Sequence, residues 1–255
     1  MPRVRTPGIR LEGVALERGA HPVFEALSMR VTGKRWHAVL GRSGAGKSSL
    51  LRLIAALEQA RSGSVSADDG EPLGPRVAYM AQDDGLLPWL SALENVRLGA
   101  RLRGRRDDAS RARARALLDR VGLREWADAR PGTLSGGMRQ RVALARTLFE
   151  DLPIVLMDEP FSRLDALTRD ELQRLAATLL AGRTVVLVTH DPLEAVRLAH
   201  EVTLLRGDPQ SEASAFSLDG TPPRDPEDPS VIARARALRS ALAGEGEDSG
   251  ASLPG

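Results

Sequence analysis

The chain has 255 residues, 42% of them hydrophobic, with 36 basic residues against 34 acidic ones and no cysteine. That length holds one large domain, or a main domain carrying a small subdomain, and the absent cysteines exclude a disulfide framework or a cysteine-ligated zinc site. A formal charge of +2 does not indicate nucleic acid, and with neither a signal-type apolar region nor a bilayer-spanning apolar run in the sequence, a cytoplasmic location is expected, any membrane role being borrowed from a partner.

Short β-rich segments are expected at Ile9 to Leu16, Phe24 to Val31 and Trp36 to Leu40. The third runs into Gly41-Arg42-Ser43-Gly44-Ala45-Gly46-Lys47-Ser48-Ser49 and a helical pattern from Lys47 to Leu57. Strand, glycine loop and helix in this order are what phosphate binding needs. Glycines let backbone N–H groups turn toward phosphate oxygens, the helix start adds positive potential, Lys47 reaches the β- and γ-phosphates, and the Ser48 hydroxyl is a ligand for Mg²⁺. Only two lysines, Lys34 and Lys47, occur in a chain that otherwise uses arginine, so the lysine kept in the loop points to a chemical need for it.

A strand over Val77 to Met80 ends near Gln82, and the apolar patch Leu86, Leu87 and Trp89 follows, needing either a partner or a core. From Ser91 to Val121 the pattern is helical and rich in Arg and Ala, as an inserted helical region would be. Ser135, Gly136 and Gly137 then place a hydroxyl and two glycines at the start of a helix running to Phe149. They read either as an ordinary N-cap or as a second anion site, in which case two chains share each nucleotide. The apolar strand Pro153 to Met157 ends in Asp158 and Glu159, whose side chains alternation sends in opposite directions. Two jobs follow: Asp158 can hold Mg²⁺ and Glu159 can polarise an attacking water. A helix over Asp165 to Leu180 and a strand over Thr184 to Val188 come next, so strands alternate with helices and imply a mainly parallel α/β sheet. Beyond Arg206, the segment TPPRDPEDP at 221–229 is a linker, a short helix is expected over Ser230 to Ala243, and the Gly/Glu/Ser-rich end is expected to fray.

The order and spacing of GRSGAGKS, Gln82, LSGGM, IVLMDE, Ser162-Arg163-Leu164-Asp165 and Val188-Thr189-His190-Asp191 resemble the ATP-binding cassette (ABC) family over nearly all of residues 9–206. The resemblance implies a P-loop NTPase core with an N-terminal antiparallel β subdomain. Residues 1–206 would form the ATPase domain, with a helical subdomain inserted at about 86–145, and 207–255 a tail. It also implies ATP and Mg²⁺ as ligands, with Lys47, Ser48 and Ser49 on phosphate and metal, Gln82 sensing Mg²⁺ and the membrane partner, and Asp158 as metal ligand. Glu159 would be the catalytic base, His190 the γ-phosphate switch, and Ser135 to Gly137 the signature closing on the opposite subunit's ATP in a homodimer. Two departures leave the phosphate ligands intact: the signature ends in Met138, and Arg163 replaces a usually small residue. In a third, the slot where the family offers an aromatic ring to adenine holds Arg18, which either stacks its guanidinium on the purine or is a solvated strand-end charge.

The LLPW segment resembles the ATPase subunits of importers for nitrate, sulfonate, taurine and the thiamine pyrimidine precursor, and DLPIVLMDEPFSRLDALTRDELQ with VTHDPLEAVRLAH looks nearest the thiamine-precursor branch. The resemblance implies integral-membrane permease subunits, a periplasmic solute-binding protein acting indirectly, and a peripheral position on the cytoplasmic side of the inner membrane. The alternative is a soluble ABC-type ATPase uncoupled from transport. Against the DNA-repair type stands the short stretch of 87 positions from Lys47 to Leu134, with no room for a very long coiled coil. Against the ribosome type stands the presence of one cassette rather than two.

Overall fold

The computed structural model describes residues 6–19, 21–105, 107–210 and 213–243; the end expected to fray lies outside them. Strand β1 (Ile9–Arg18) pairs antiparallel with β2 (His21–Val31) on one side and β4 (Ser62–Ala67) on the other, forming a three-stranded sheet. Between them in the chain, β3 (Trp36–Gly41) and helix α1 (Lys47–Ile54) belong to the main body.

The main sheet has six strands in the order β5-β6-β7-β3-β8-β9, built from β3, β5 (Val77–Met80), β6 (Ile154–Asp158), β7 (Thr184–Thr189), β8 (Glu201–Leu205) and β9 (Ser214–Ser217). All pairings in it are parallel except that of β9 with β8. Every residue of β3, β6 and β7 is buried, as expected of parallel strands covered on both faces. Alternation divides their side chains between two cores. Ile154, Leu156, Val186 and Val188 pack toward α1 and the small sheet, whereas Val155, Met157, Val185 and Leu187 pack toward the helical side.

The stretch expected to be helical from Ser91 to Val121 is broken into α2 (Ala92–Val96), α3 (Leu98–Leu102) and α4 (Asp108–Arg120). Gly104 at φ 76° ends the α3 segment, and Asp107 starts α4 by accepting a hydrogen bond from Ser110 N at 2.6 Å. Helix α5 (Gly136–Phe149) packs against α2 and α4, so the helical region continues past residue 145. Asp165 is the N-cap of α6 (Ala166–Leu179) and accepts from Thr168 N at 3.0 Å. Helix α7 (Pro192–Leu198) follows β7, and α8 (Pro229–Ala243) packs against α7. Because β9 adds to the main sheet and α8 joins a core with α7, both lie on the body of the protein although they follow residue 206. Among the described residues no helix is long and apolar enough to cross a membrane.

Candidate ATP site

Parallel strands put all their C-terminal ends on one edge of a sheet, which is where ligands of open α/β folds bind. The loop 42–46 follows β3, Gln82 follows β5, Glu159 follows β6 and His190 follows β7, so four segments far apart in sequence converge there. Arg18, Ser43, Gly44, Gly46, Lys47, Ser48, Ser49, Gln82 and Glu159 line one cavity of about 360 Å³, together with Val23, which sequence reading missed.

Gly46 has φ 84°, a left-handed value that glycine adopts freely, and a Cβ there would lie 2.7 Å from Val23 Cγ1 and 2.8 Å from Phe24 Cζ. No side chain caps α1 and no acidic residue stands in its first turn, so its leading N–H groups face the loop uncompensated. Buried Lys47 donates from Nζ to Gly41 O at 2.9 Å and Arg42 O at 3.0 Å, which aims it across the loop. Ala45, in the same turn, is buried and donates its N–H to Arg42 O at 3.1 Å.

Strand parity carries Asp158 to the same face as Ile154 and Leu156, the face α1 covers, and Ser48 Oγ donates to Asp158 Oδ1 at 3.1 Å. Tyr79, the only tyrosine in the chain, donates from its OH to Asp158 Oδ2 at 3.0 Å. Burial, followed by the Asp158 charge, raises the Tyr79 phenol above its usual range, so it remains a donor and fixes the carboxylate. Sequence reading did not identify Tyr79; its uniqueness, three positions before Gln82, was the available signal.

At Glu159 the parity breaks. Its φ of 45° is left-handed, a conformation costing on the order of 1 kcal/mol or more for a non-glycine residue. The turn is held by Glu159 N donating to Val188 O at 2.9 Å, by Ser162 Oγ donating to Glu159 O at 3.0 Å, and by fully buried Phe161. The carboxylate thereby meets three groups: Lys47 Nζ at 3.6 Å, His190 Nδ1 at 3.1 Å and Gln82 Nε2 at 3.4 Å.

Ser135, Gly136 and Gly137 do not line this cavity. Ser135 Oγ accepts from Met138 N at 3.2 Å as the N-cap of α5, and a Cβ on Gly137 would lie 2.4 Å from Thr168 Cγ2, so that glycine lets α5 meet α6. Arg18 sits on the cavity rim, half-exposed, with Nη2 3.7 Å from Glu58 Oε1. Arg163 forms an ion pair with Asp83, next to Gln82, and Arg139 Nε meets Asp84 Oδ2 at 2.9 Å. The apolar patch is divided: Leu86 is buried, whereas Trp89 is 66% exposed. Asn95 shapes this turn, accepting from Leu87 N at 2.8 Å and donating to the carbonyls of Leu87, Leu90 and Ser91.

Beneath His190 lies Glu194, buried on α7. Its Oε2 accepts from Thr189 Oγ1 at 3.0 Å, and that hydroxyl in turn accepts from Asp191 N at 3.0 Å. Burial pushes the Glu194 carboxyl from an ordinary 4.5 up to about 8. Between those values the folded protein keeps a proton that the unfolded chain has lost, so stability falls as pH rises. The slope is at most about 1.4 kcal/mol per pH unit, and it ends above the folded pKa, where both states are ionised. Glu194→Gln should remove this slope, so its melting temperature relative to the parent should rise from pH 5 to pH 8. An equal offset at both pH values would contradict the buried, proton-holding carboxyl.

The family model for ABC transporters matches residues 24–162. An uncharacterized ABC transporter ATP-binding protein of Haemophilus influenzae is 39% identical over 93% of this chain and 99% of its own length. The taurine import ATP-binding protein TauB of Burkholderia thailandensis is 44% identical over 80% of each chain. The aliphatic sulfonates import ATP-binding protein SsuB 1 of Burkholderia lata is 43% identical over 87% of this chain and 66% of its own. Among solved structures, a dimeric ATP-binding cassette in a post-hydrolysis state with ADP and Pi superposes with a TM-score of 0.72 at 29% identity, covering 84% of this chain and 100% of that one. Another, a dimeric bacterial ABC transporter cassette, gives 0.70 at 28% identity with the same coverage. With a glycine loop, a carboxylate pair and His190 on one sheet edge, and with these matches along its length, the chain belongs to the ABC transporter family as one of its ATPase cassettes.

Proposed function

We propose that the chain is the energy-coupling subunit of an importer, binding and hydrolysing Mg-ATP to drive a separate membrane permease. The single observation that carries the catalytic reading is the convergence of Lys47, Gln82 and His190 on the Glu159 carboxylate at the mouth of the phosphate loop. Glu159 takes the proton of the attacking water, Lys47 and the loop N–H groups hold the β- and γ-phosphates, and His190 and Gln82 orient the reacting groups. Ser48 Oγ and Asp158 Oδ1, two hard oxygens 3.1 Å apart with Asp158 fixed by Tyr79, fit Mg²⁺, an ion held by one or two protein oxygens beside substrate phosphates. When bound, the ion neutralises charge on the phosphate oxygens. The half-exposed Arg18 and Val23 flank the adenine position, and Ser135 to Gly137 complete the site of a second copy.

Relatives that import taurine and aliphatic sulfonates support the sulfonate arm of the solutes expected from sequence. Exposed Trp89, on a turn stiffened by Asn95, is the apolar face offered to the permease on the cytoplasmic side of the membrane. The test is uptake in the cell of origin with the chain deleted. Accumulation of labelled taurine or an alkanesulfonate should stop and return with the parent gene but not with Lys47→Ala. Loss of hydroxymethylpyrimidine uptake instead would move the solute while keeping the class; undiminished uptake of every candidate would contradict an importer role.

A further inference from the structure

Helix α7 is capped by Asp191, directly after His190, and is only seven residues long. Its far end is pinned by a residue of the linker. Arg224, 9% exposed, donates from Nη1 to Val196 O at 2.6 Å and Ala199 O at 2.7 Å, while its backbone N–H donates to Arg197 O at 2.9 Å. The rest of the guanidinium reaches the chain leaving β9, with Nε on Asp219 O at 2.7 Å and Nη2 on Leu218 O and Gly220 O, both at 3.1 Å. All five side-chain partners are main-chain carbonyls, so the planar fork joins the last turn of α7 to the segment after β9 in a way a single ammonium does not reproduce. The outer side of α7 is covered as well: Val231, Ala235 and Leu238 of α8 pack in one core with Ala195, Val196 and Ala199. Near its start, the Glu194–Thr189 contact ties α7 back to β7.

We infer that residues 218–243 brace the His190 loop and that Arg224 is the positioning residue through which the brace acts. The inference rests on His190 having the role proposed above. A seven-residue helix held at both ends moves as one unit, so freeing its C-terminal end lets its N-terminal end, with His190, shift relative to Glu159. Arg224 does not line the cavity at the phosphate loop. The phosphate loop is a separate segment on β3 and α1, so ATP binding should be spared while turnover falls.

The experiment is a double-mutant cycle on the full chain, reading kcat and KM for ATP well below the melting temperature of each variant. Arg224→Ala should lower kcat about tenfold with KM within about twofold, since small misplacements of a catalytic group cost that much or more. Arg224→Lys, which keeps the charge but loses the fork, should fall between parent and Arg224→Ala and keeps the question open to test should Arg224→Ala fold poorly. In a His190→Ala background, Arg224→Ala should cause no further loss. Losses that multiply would overturn the inference while leaving His190 in its role. A parent-like kcat for folded Arg224→Ala and Arg224→Lys, with only the melting temperature lowered, would reduce the contact to scaffolding. A parent-like kcat for His190→Ala would overturn the site reading itself, and this inference with it.

Discussion

Glu159→Gln should bind ATP with near-parent affinity and lose at least about a hundredfold in kcat, because the amide keeps the shape of the side chain and removes the base. Its left-handed backbone is held by the bonds to Val188 O and Ser162, which the substitution does not touch, so the loss belongs to chemistry and not to folding. Lys47→Ala makes the contrast. It removes the Nζ bonds to the carbonyls of Gly41 and Arg42 and takes the cation from the phosphates, so affinity for ATP and turnover should fall together. Steady-state hydrolysis and equilibrium nucleotide binding of the two variants separate these effects; near-normal hydrolysis by Glu159→Gln would remove Glu159 from the role of base.

Ser135→Arg should produce the other large loss. Ser135 lies outside the cavity of its own chain, so the variant should bind ATP on its own phosphate loop while hydrolysis drops about a hundredfold. Losing the cap bond to Met138 N accounts for only about 1 kcal/mol of helix stability, which Ser135→Ala reports separately. Mixed with Lys47→Ala chains, Ser135→Arg chains should regain turnover, because one of the two sites in such a heterodimer is intact. Mixtures as inactive as either variant alone, despite verified heterodimers, would oppose shared sites.

The central site was readable because its chemistry leaves compositional marks: a lysine in an arginine chain at Lys47, a carboxylate pair ending an apolar strand at Asp158 and Glu159, and glycines where backbone must turn. What stayed hidden lacked such marks. Strand β4 reads SGSVSA, with one β-branched residue, and exists because β1 supplies a pairing edge. Val23 reaches the cavity only because the small sheet packs over Gly46. The end of α7 is fixed by Arg224 from a linker whose prolines announce only an extended chain. The apolar patch was split between core and surface by Asn95, a polar residue whose four hydrogen bonds depend on turn geometry that sequence alone does not give.

That ATP closes two copies of this chain on each other is tested most directly by the mass of Glu159→Gln in sedimentation equilibrium, with Mg-ATP, with Mg-ADP and without nucleotide. The expected result is a dimer carrying two ATP molecules in the first condition, monomer in the other two, and monomer throughout when Ser135→Arg is added. A protein that saturates with ATP and stays monomeric at concentrations well above those in the cell, or a dimer indifferent to Ser135→Arg, would contradict the shared site.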